Sequence, residues 1–215
     1  MHEQAISRED VAESDLVTRR GTFRAVAFRA DGHEHMAMVY GKTRMRGNVL
    51  VRVHSECMTG DIFGAMRCEC GEQLDAALDA IVREGSGILI YLRGHEGRGI
   101  GLVEKVRSHV LQDEQGMDTL DSATALGLPV DTRDYGPAAL VLKHLRVRSV
   151  RLMSNNPDKI AALESNGIVV AARVPLLMPA NDHNIGYLTA KRDRLGHDLP
   201  QVDVFEADLP HAADR

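Results

Sequence analysis

Residues Val51–Leu74 read VRVHSECMTGDIFGAMRCECGEQL: an apolar strand-like run, a turn-rich stretch and the opening of a helical pattern in direct succession. All three cysteines of the chain fall here, Cys57, Cys68 and Cys70, in a C-x10-C-x-C spacing. Three thiolates in one turn-rich stretch form a soft ligand set for a metal such as zinc (Zn2+). The fourth position would fall to a histidine, a carboxylate or water. Three protein ligands with an open position is the catalytic pattern, and four is the structural one. The competing reading is three ordinary thiols. A disulfide framework does not suit an odd count, and a Cys68–Cys70 bridge would be strained.

Outward from this stretch the pattern changes character. On the N-terminal side, TFRAVAF, a turn at Asp31-Gly32, HMAMVYG and NVLVRVHS read as an antiparallel meander delivering His54–Cys57 at its end. On the C-terminal side, Leu74, Ala77, Leu78 and Ile81 mark one helical face, closed by Gly85 and Gly87. GILIYL is a continuous apolar run, the pattern of a strand buried on both faces. Val103, Val106 and Val110 then set out the apolar stripe of another helix, which Lys105 and His109 do not share. Short helical stretches follow near Ser122–Leu126 and Ala138–Leu145. SVRLM reads as a strand before SNNPDK, where Pro157 suits a helix start and Gly167 its stop. IVVAARVPL is a last strand and Asn184–His197 a terminal helix. The expected fold is α/β, a mixed sheet with flanking helices and antiparallel N-terminal strands. Residues 1–15 read as a flexible tail, 16–200 as one catalytic domain and 201–215 as a second loose tail.

Composition bounds the function. The chain has 215 residues, 44% hydrophobic and 27% charged, which is ordinary for a globular protein that buries a sizeable core. No run of about 18 apolar residues is present, so no membrane span is expected. The N-terminal sequence lacks the apolar region of a secretory signal, and unpaired thiols suit the cytoplasm. A net charge of −5 and no tryptophan argue against nucleic acid as a partner, so any phosphate site must be a local basic cluster.

Such clusters occur at three loops that follow strands. EGRGIG at Glu96–Gly101 lets backbone N–H groups approach a phosphate while Arg98 forks onto it. Asp131-Thr132-Arg133-Asp134 is the second, and Ser154–Lys159 the third, with a hydroxyl and an ammonium flanking a helix start. None matches a Walker or dinucleotide motif. Their position counts for more, because ligands gather at strand carboxyl ends. A metal-activated water beside a phosphate cradle suggests hydrolysis of a nucleotide or another phosphorylated small molecule, with Glu56 and His54 near enough in sequence to manage protons. His54 could equally make one structural hydrogen bond at its strand end.

RVHSEC-x10-CxCG-x-QL, YLRGHEGRGIGL, LQD, LGL-x-x-D-x-RDYG and NNP-x-K together resemble GTP cyclohydrolase II, from about Arg19 to His197. The resemblance implies zinc on Cys57, Cys68 and Cys70, and magnesium (Mg2+) on the triphosphate of GTP. Water is delivered to C8 of guanine, the imidazole ring opens, formate and pyrophosphate leave, and a diaminopyrimidine ribosyl monophosphate remains. This is the first step of riboflavin synthesis, carried out by a homodimer. It further implies GTP contacts from Arg52, Val53, His54, Ser55, Glu56, Gln73, Glu96, Gly97, Arg98, Thr119, Ser154 and Lys159, with Gln73 reading the guanine edge. Asp131 is the implied proton acceptor, and Arg133 the implied nucleophile toward the α-phosphate. The chemistry of a guanidinium, with a pKa above about 12, favours a clamp for a phosphoryl group instead. The chain departs from the family pattern at RSHVLQD, where His109 replaces the usual catalytic tyrosine. It also departs at LQDEQGMDT, one residue longer than usual, at DSATALGL, which lacks an asparagine, and at Ser154, which replaces threonine. Two further readings stand beside the cyclohydrolase. One is a divergent paralogue that keeps the formyl group or takes a related nucleotide. The other is a nucleotide-binding regulator with structural zinc.

Overall fold

The computed structural model describes residues 6–208. One seven-stranded sheet has the order β1-β2-β3-β5-β4-β6-β7. Its strands are β1 (Val11–Thr18), β2 (Gly21–Ala30), β3 (His33–Tyr40), β4 (Val49–Ser55), β5 (Gly87–Leu92), β6 (Val150–Met153) and β7 (Val170–Val174). The helices are α1 (Met58–Asp61), α2 (Cys70–Glu84), α3 (Leu102–Gln115), α4 (Thr119–Ala125), α5 (Gly136–His144), α6 (Pro157–Ser165), α7 (Ile185–Leu195) and α8 (Gln201–Asp208). The mixed α/β architecture agrees with the sequence pattern. β1, β2 and β3 pair antiparallel, β3 pairs antiparallel with β5, and β5, β4, β6 and β7 run parallel.

β4 does not continue the meander. β5 is inserted between β3 and β4, because β4 and β5 are both buried on both faces and belong at the centre of the sheet. Successive residues of the two strands serve opposite layers. Val51, Val53, Ile88 and Ile90 join the core under α5 and α6, whereas Leu50 and Leu89 meet Ala77 and Ile81 of α2. α2 ends where Gly85 takes the left-handed conformation at φ 79°, a position a side chain would strain.

Three further expectations change. The tail expected over residues 1–15 contains edge strand β1 from Val11. Its side chains are almost all exposed, so it lacks the apolar alternation that marks a strand and is held by its ladder with β2. α8 occupies the start of the expected C-terminal tail; residues 1–5 and 209–215 lie outside the described residues. Val103, Val106 and Val110 of α3 face outward, at 64%, 48% and 46% exposure. The inward face of α3 is polar: Ser108 meets Ser122 of α4 at 2.6 Å, and Gln112 donates to Ser108 at 2.9 Å.

Because β4, β5, β6 and β7 are parallel, their carboxyl ends open onto one edge of the sheet, and the cysteine stretch and glycine loop emerge there. Ile90→Ala, at the fully buried centre of β5, should lower unfolding free energy by about 2–5 kcal/mol. Val169→Ala, at a position 61% exposed just before β7, should change it by less than about 0.5 kcal/mol. Urea denaturation of the two variants checks this arrangement.

Candidate active site

Cys57 follows β4, and Cys70 opens α2. The short α1 between them turns the chain back, so that the three sulfurs lie within 4.8 Å of one another, Cys57 and Cys68 at 3.7 Å. A tetrahedron with metal–sulfur distances of about 2.3 Å has edges of about 3.8 Å, so this donor set fits zinc. Gly60 leaves room for it: a Cβ there would stand 3.0 Å from the Cys68 sulfur and 3.3 Å from that of Cys57. Hydrogen bonds from Cys68 and Cys70, and then the charge of Lys105, hold the Cys57 thiol far below its ordinary pKa. Cys68 is pushed up to about 11, first by its bond to Cys57.

Asp61, at the end of α1, fixes the turn. It accepts from the Cys57 backbone N–H at 3.0 Å and the Tyr91 hydroxyl at 2.7 Å, and it contacts His54 Nε2 at 3.0 Å. His54 is thus a buried strand residue tied to Asp61, and burial lowers its pKa.

The sulfurs sit on the wall of a cavity of about 390 Å³ at the carboxyl edge of the sheet. Of the residues singled out from sequence, Arg52, His54, Ser55, Glu56 and Gln73 line it from β4 and α2. Glu96, Gly97, Arg98, His109 and Thr119 line it from the glycine loop, α3 and α4, and Arg133, Ser154 and Lys159 close the far side. Val53 and Asp131 do not reach the wall. Val53 belongs to the core and contributes only its carbonyl, which accepts from Lys159 Nζ at 2.9 Å. Asp131 stands behind Arg133, which donates to it from Nε at 2.9 Å and from Nη2. Partial burial opposes the charge on Asp131, but the hydrogen bonds and charge of Arg133 outweigh it and keep the carboxyl below its usual range.

In the glycine loop, Gly97 and Arg98 both take left-handed backbone angles, φ 59° and 62°. For Arg98 this costs on the order of 1–2 kcal/mol and is the kind of strain found at binding loops. Glu96 is engaged within the protein: Oε2 accepts from the Met58 N–H at 2.6 Å, and Oε1 accepts from Lys105 Nζ at 2.6 Å. Glu56 accepts from the Gly94 N–H at 2.8 Å. Ser55 faces His95 Nδ1 at 3.1 Å. The other ring nitrogen of His95 meets the Asp134 carbonyl at 3.0 Å and so carries the proton. Burial, then the charges of Arg133 and Lys159, push His95 down to about 4.

The cavity is cationic. Burial, then Arg52 and Arg133, drives the pKa of Lys159 well below that of an ordinary lysine. Arg52 donates to the Met153 carbonyl at 3.0 Å and to Gln73 Oε1 at 2.7 Å, while its buried Nε has no protein partner. Gln73 Nε2 donates to Glu69 Oε1 at 3.2 Å, which also accepts from Lys191 Nζ of α7 at 2.8 Å. His109 is half-buried on the wall; burial, then the charge of Arg67, lowers its pKa and disfavours the charged ring.

Sequence reading missed Asp61, Glu69, Lys105 and Lys191. Glu69 carried a signal, being flanked by Cys68 and Cys70. The other three lie on helical stretches, where a charged residue ordinarily faces water.

The family model described as GTP cyclohydrolase II matches residues 9–175. The riboflavin biosynthesis protein RibBA of Salinispora arenicola is 52% identical over 206 residues, covering 95% of this chain and 49% of that protein. RibBA of Mycolicibacterium gilvum is 52% identical, covering 97% and 50%, and RibBA of Nocardia farcinica is 50% identical, covering 95% and 49%. The chain thus spans about half the length of the curated relatives it matches. Among solved structures, a two-domain 3,4-dihydroxy-2-butanone 4-phosphate synthase, RibBX of A. baumannii, has a TM-score of 0.47 and 19% identity over 80% of this chain and 41% of that one, too remote to inform the site. The family motifs converge on one cavity and the family model matches most of the sequence, so the chain belongs to the GTP cyclohydrolase II family.

Proposed function

We propose that this chain hydrolyses GTP, opening the imidazole ring with loss of formate and pyrophosphate, as the first step of riboflavin synthesis. The observation that carries this reading is one cavity whose wall holds a three-thiol cluster together with Arg52, Arg98, Arg133 and Lys159. Burial first, and then the nearby Arg52 and Arg133, depress Lys159, and a polyanion entering among these cations relieves their mutual repulsion. Zinc on Cys57, Cys68 and Cys70 would supply a Lewis acid and an activated water.

The residues divide the work as follows. The Arg52–Gln73–Glu69 chain holds the Gln73 amide in one orientation on the wall of the cavity that would take the base. Arg98, Lys159 and Ser154 take the phosphates, with magnesium on the triphosphate. Arg133 is held by Asp131 as a clamp for the leaving phosphoryl group, and its raised pKa makes it a charge rather than a nucleophile. Asp131, held charged by that pair, is a weak base and orients Arg133. Val53, Glu56 and Glu96 shape the loops from within the protein, and Thr119 borders the cavity beside His109. The outward apolar row Leu102, Val103, Val106 and Val110 on α3 suits self-association, and the working unit is a homodimer in the cytoplasm.

His109 favours a second reading. A neutral imidazole is shorter than the phenol usual at this place and can accept as well as donate, so ring opening can proceed while deformylation lags.

Incubation of the zinc-loaded protein with GTP and magnesium, followed by mass spectrometry, should show GTP loss with pyrophosphate release. Formate in step with GTP loss supports the full reaction. Accumulation of a formylated pyrimidine that His109→Tyr relieves supports the second, and binding without turnover would favour a regulator. Cys68→Ser should remove about one zinc per chain together with ring opening, and full activity of the metal-free variant would sink the hydrolytic-metal reading. Arg133→Ala should slow pyrophosphate release on the order of 10²–10³-fold, as removal of a transition-state donor does. Arg133→Lys should lose less, and a nucleotide trapped covalently on Arg133 would overturn the clamp.

A further inference from the structure

Lys105 differs from every other cation on the cavity wall. An ammonium has three hydrogens, and its Nζ has three acceptors: Thr59 Oγ1 at 2.7 Å, Glu96 Oε1 at 2.6 Å and the Cys57 sulfur at 3.2 Å. None is left over for a phosphate. The side chain is 14% exposed, and the helix that carries it begins directly after the glycine loop. Glu96 adds the second half of the device. Its other oxygen accepts from the Met58 N–H, the residue after Cys57, so Lys105 and Glu96 together grip both the sulfur and the backbone of the first cysteine.

Three thiolates around a divalent cation leave one net negative charge at a site where Cys57 is buried and Cys68 and Cys70 are half-buried, and burial makes charge costly. Thiolates also donate strongly, which dulls the ion as a Lewis acid. An ammonium bonded to one ligating sulfur cancels the excess charge and draws density from that sulfur, as neighbours of metal ligands commonly do.

We propose that Lys105 is a positioning residue of the metal centre: its ammonium hydrogen-bonds the Cys57 sulfur, compensates the three-thiolate set and keeps the bound ion electrophilic. The inference rests on the metal reading above and assigns a role to a residue that the substrate contacts leave out. It also accounts for Glu96 being turned toward Lys105 and Met58.

The test uses the full chain and two measurements that do not depend on turnover. Zinc affinity is read by competition with a chromogenic chelator, and the sulfur-to-metal charge-transfer band is read on the cobalt-substituted protein. Lys105→Met should weaken zinc binding about 10–100-fold, the usual cost of losing a partner of a metal ligand. It should also move the charge-transfer band to lower energy, because the sulfur electrons are no longer held by a neighbouring positive charge. A merely structural lysine would leave that band in place. Lys105→Gln keeps a donor without the charge and decides the question if the methionine variant does not fold; the same loss of affinity and the same shift are expected. Wild-type affinity and an unshifted band in a folded variant overturn the proposal while leaving the metal reading intact. A wild-type protein that holds no zinc overturns both.

Discussion

Arg52 and His54 lie within β4, a strand whose residues are buried up to Ser55, and a buried charge or ring must find partners or destabilise the fold. Much of the site follows from that constraint. Arg52 is held by the Met153 carbonyl of the neighbouring strand and by Gln73, which fixes where α2 sits along the sheet. His54 is held through Nε2 by Asp61, which then takes the Cys57 N–H and the Tyr91 hydroxyl and so shapes the turn carrying the sulfurs. Polar residues inside a central strand thus act as the framework onto which the cysteine stretch is pinned. Removing one partner would strand the others, which is why such networks hold a single geometry.

The cavity has two electrostatic halves. Around the sulfurs, Lys105 is matched by Glu96, and Lys191 by Glu69, so that charges are paired within the protein. Lys191 feels the cost of burial, but the charge of Glu69 outweighs it and holds the ammonium. Toward the β6 loop the balance tips. Lys159 has the Val53 carbonyl and the Tyr135 ring as its neighbours, at 2.9 Å and 5.4 Å, and it faces Arg52 and Arg133. Paired charges set geometry, and unpaired ones attract an anion. Both kinds of charge lie in a single cavity, with the thiol cluster on the same wall.

The carboxyl-edge location unites loops that are far apart in sequence. Residues after β4, β5 and β6 meet because those strands are parallel, and α7 reaches the same place through the buried Lys191–Glu69 contact. α7 lies beyond residues 9–175, the segment the family model matches, yet it touches the residue between Cys68 and Cys70.

Much of this was legible from local pattern, because local pattern reports local chemistry. The C-x10-C-x-C spacing announced a thiol cluster, GILIYL a strand buried on both faces, the glycines around Arg98 a loop at a strand end, and Pro157 with Gly167 the two ends of α6. What the sequence could not convey depends on neighbours distant in the chain. β1 hides because its side chains face water while its backbone is held by β2. The valines of α3 have helical spacing, but the partner of that helix is the polar face of α4, so the apolar stripe turns outward. Lys105 and Lys191 look like solvated helix charges until the fold sets a thiol and a carboxylate beside them. By itself the sequence determined which chemical groups are present and the strand or helix that carries most of them. The tertiary structure alone decided which charges are neutralised and which are left open, because that depends on distances of a few ångströms between residues tens of positions apart.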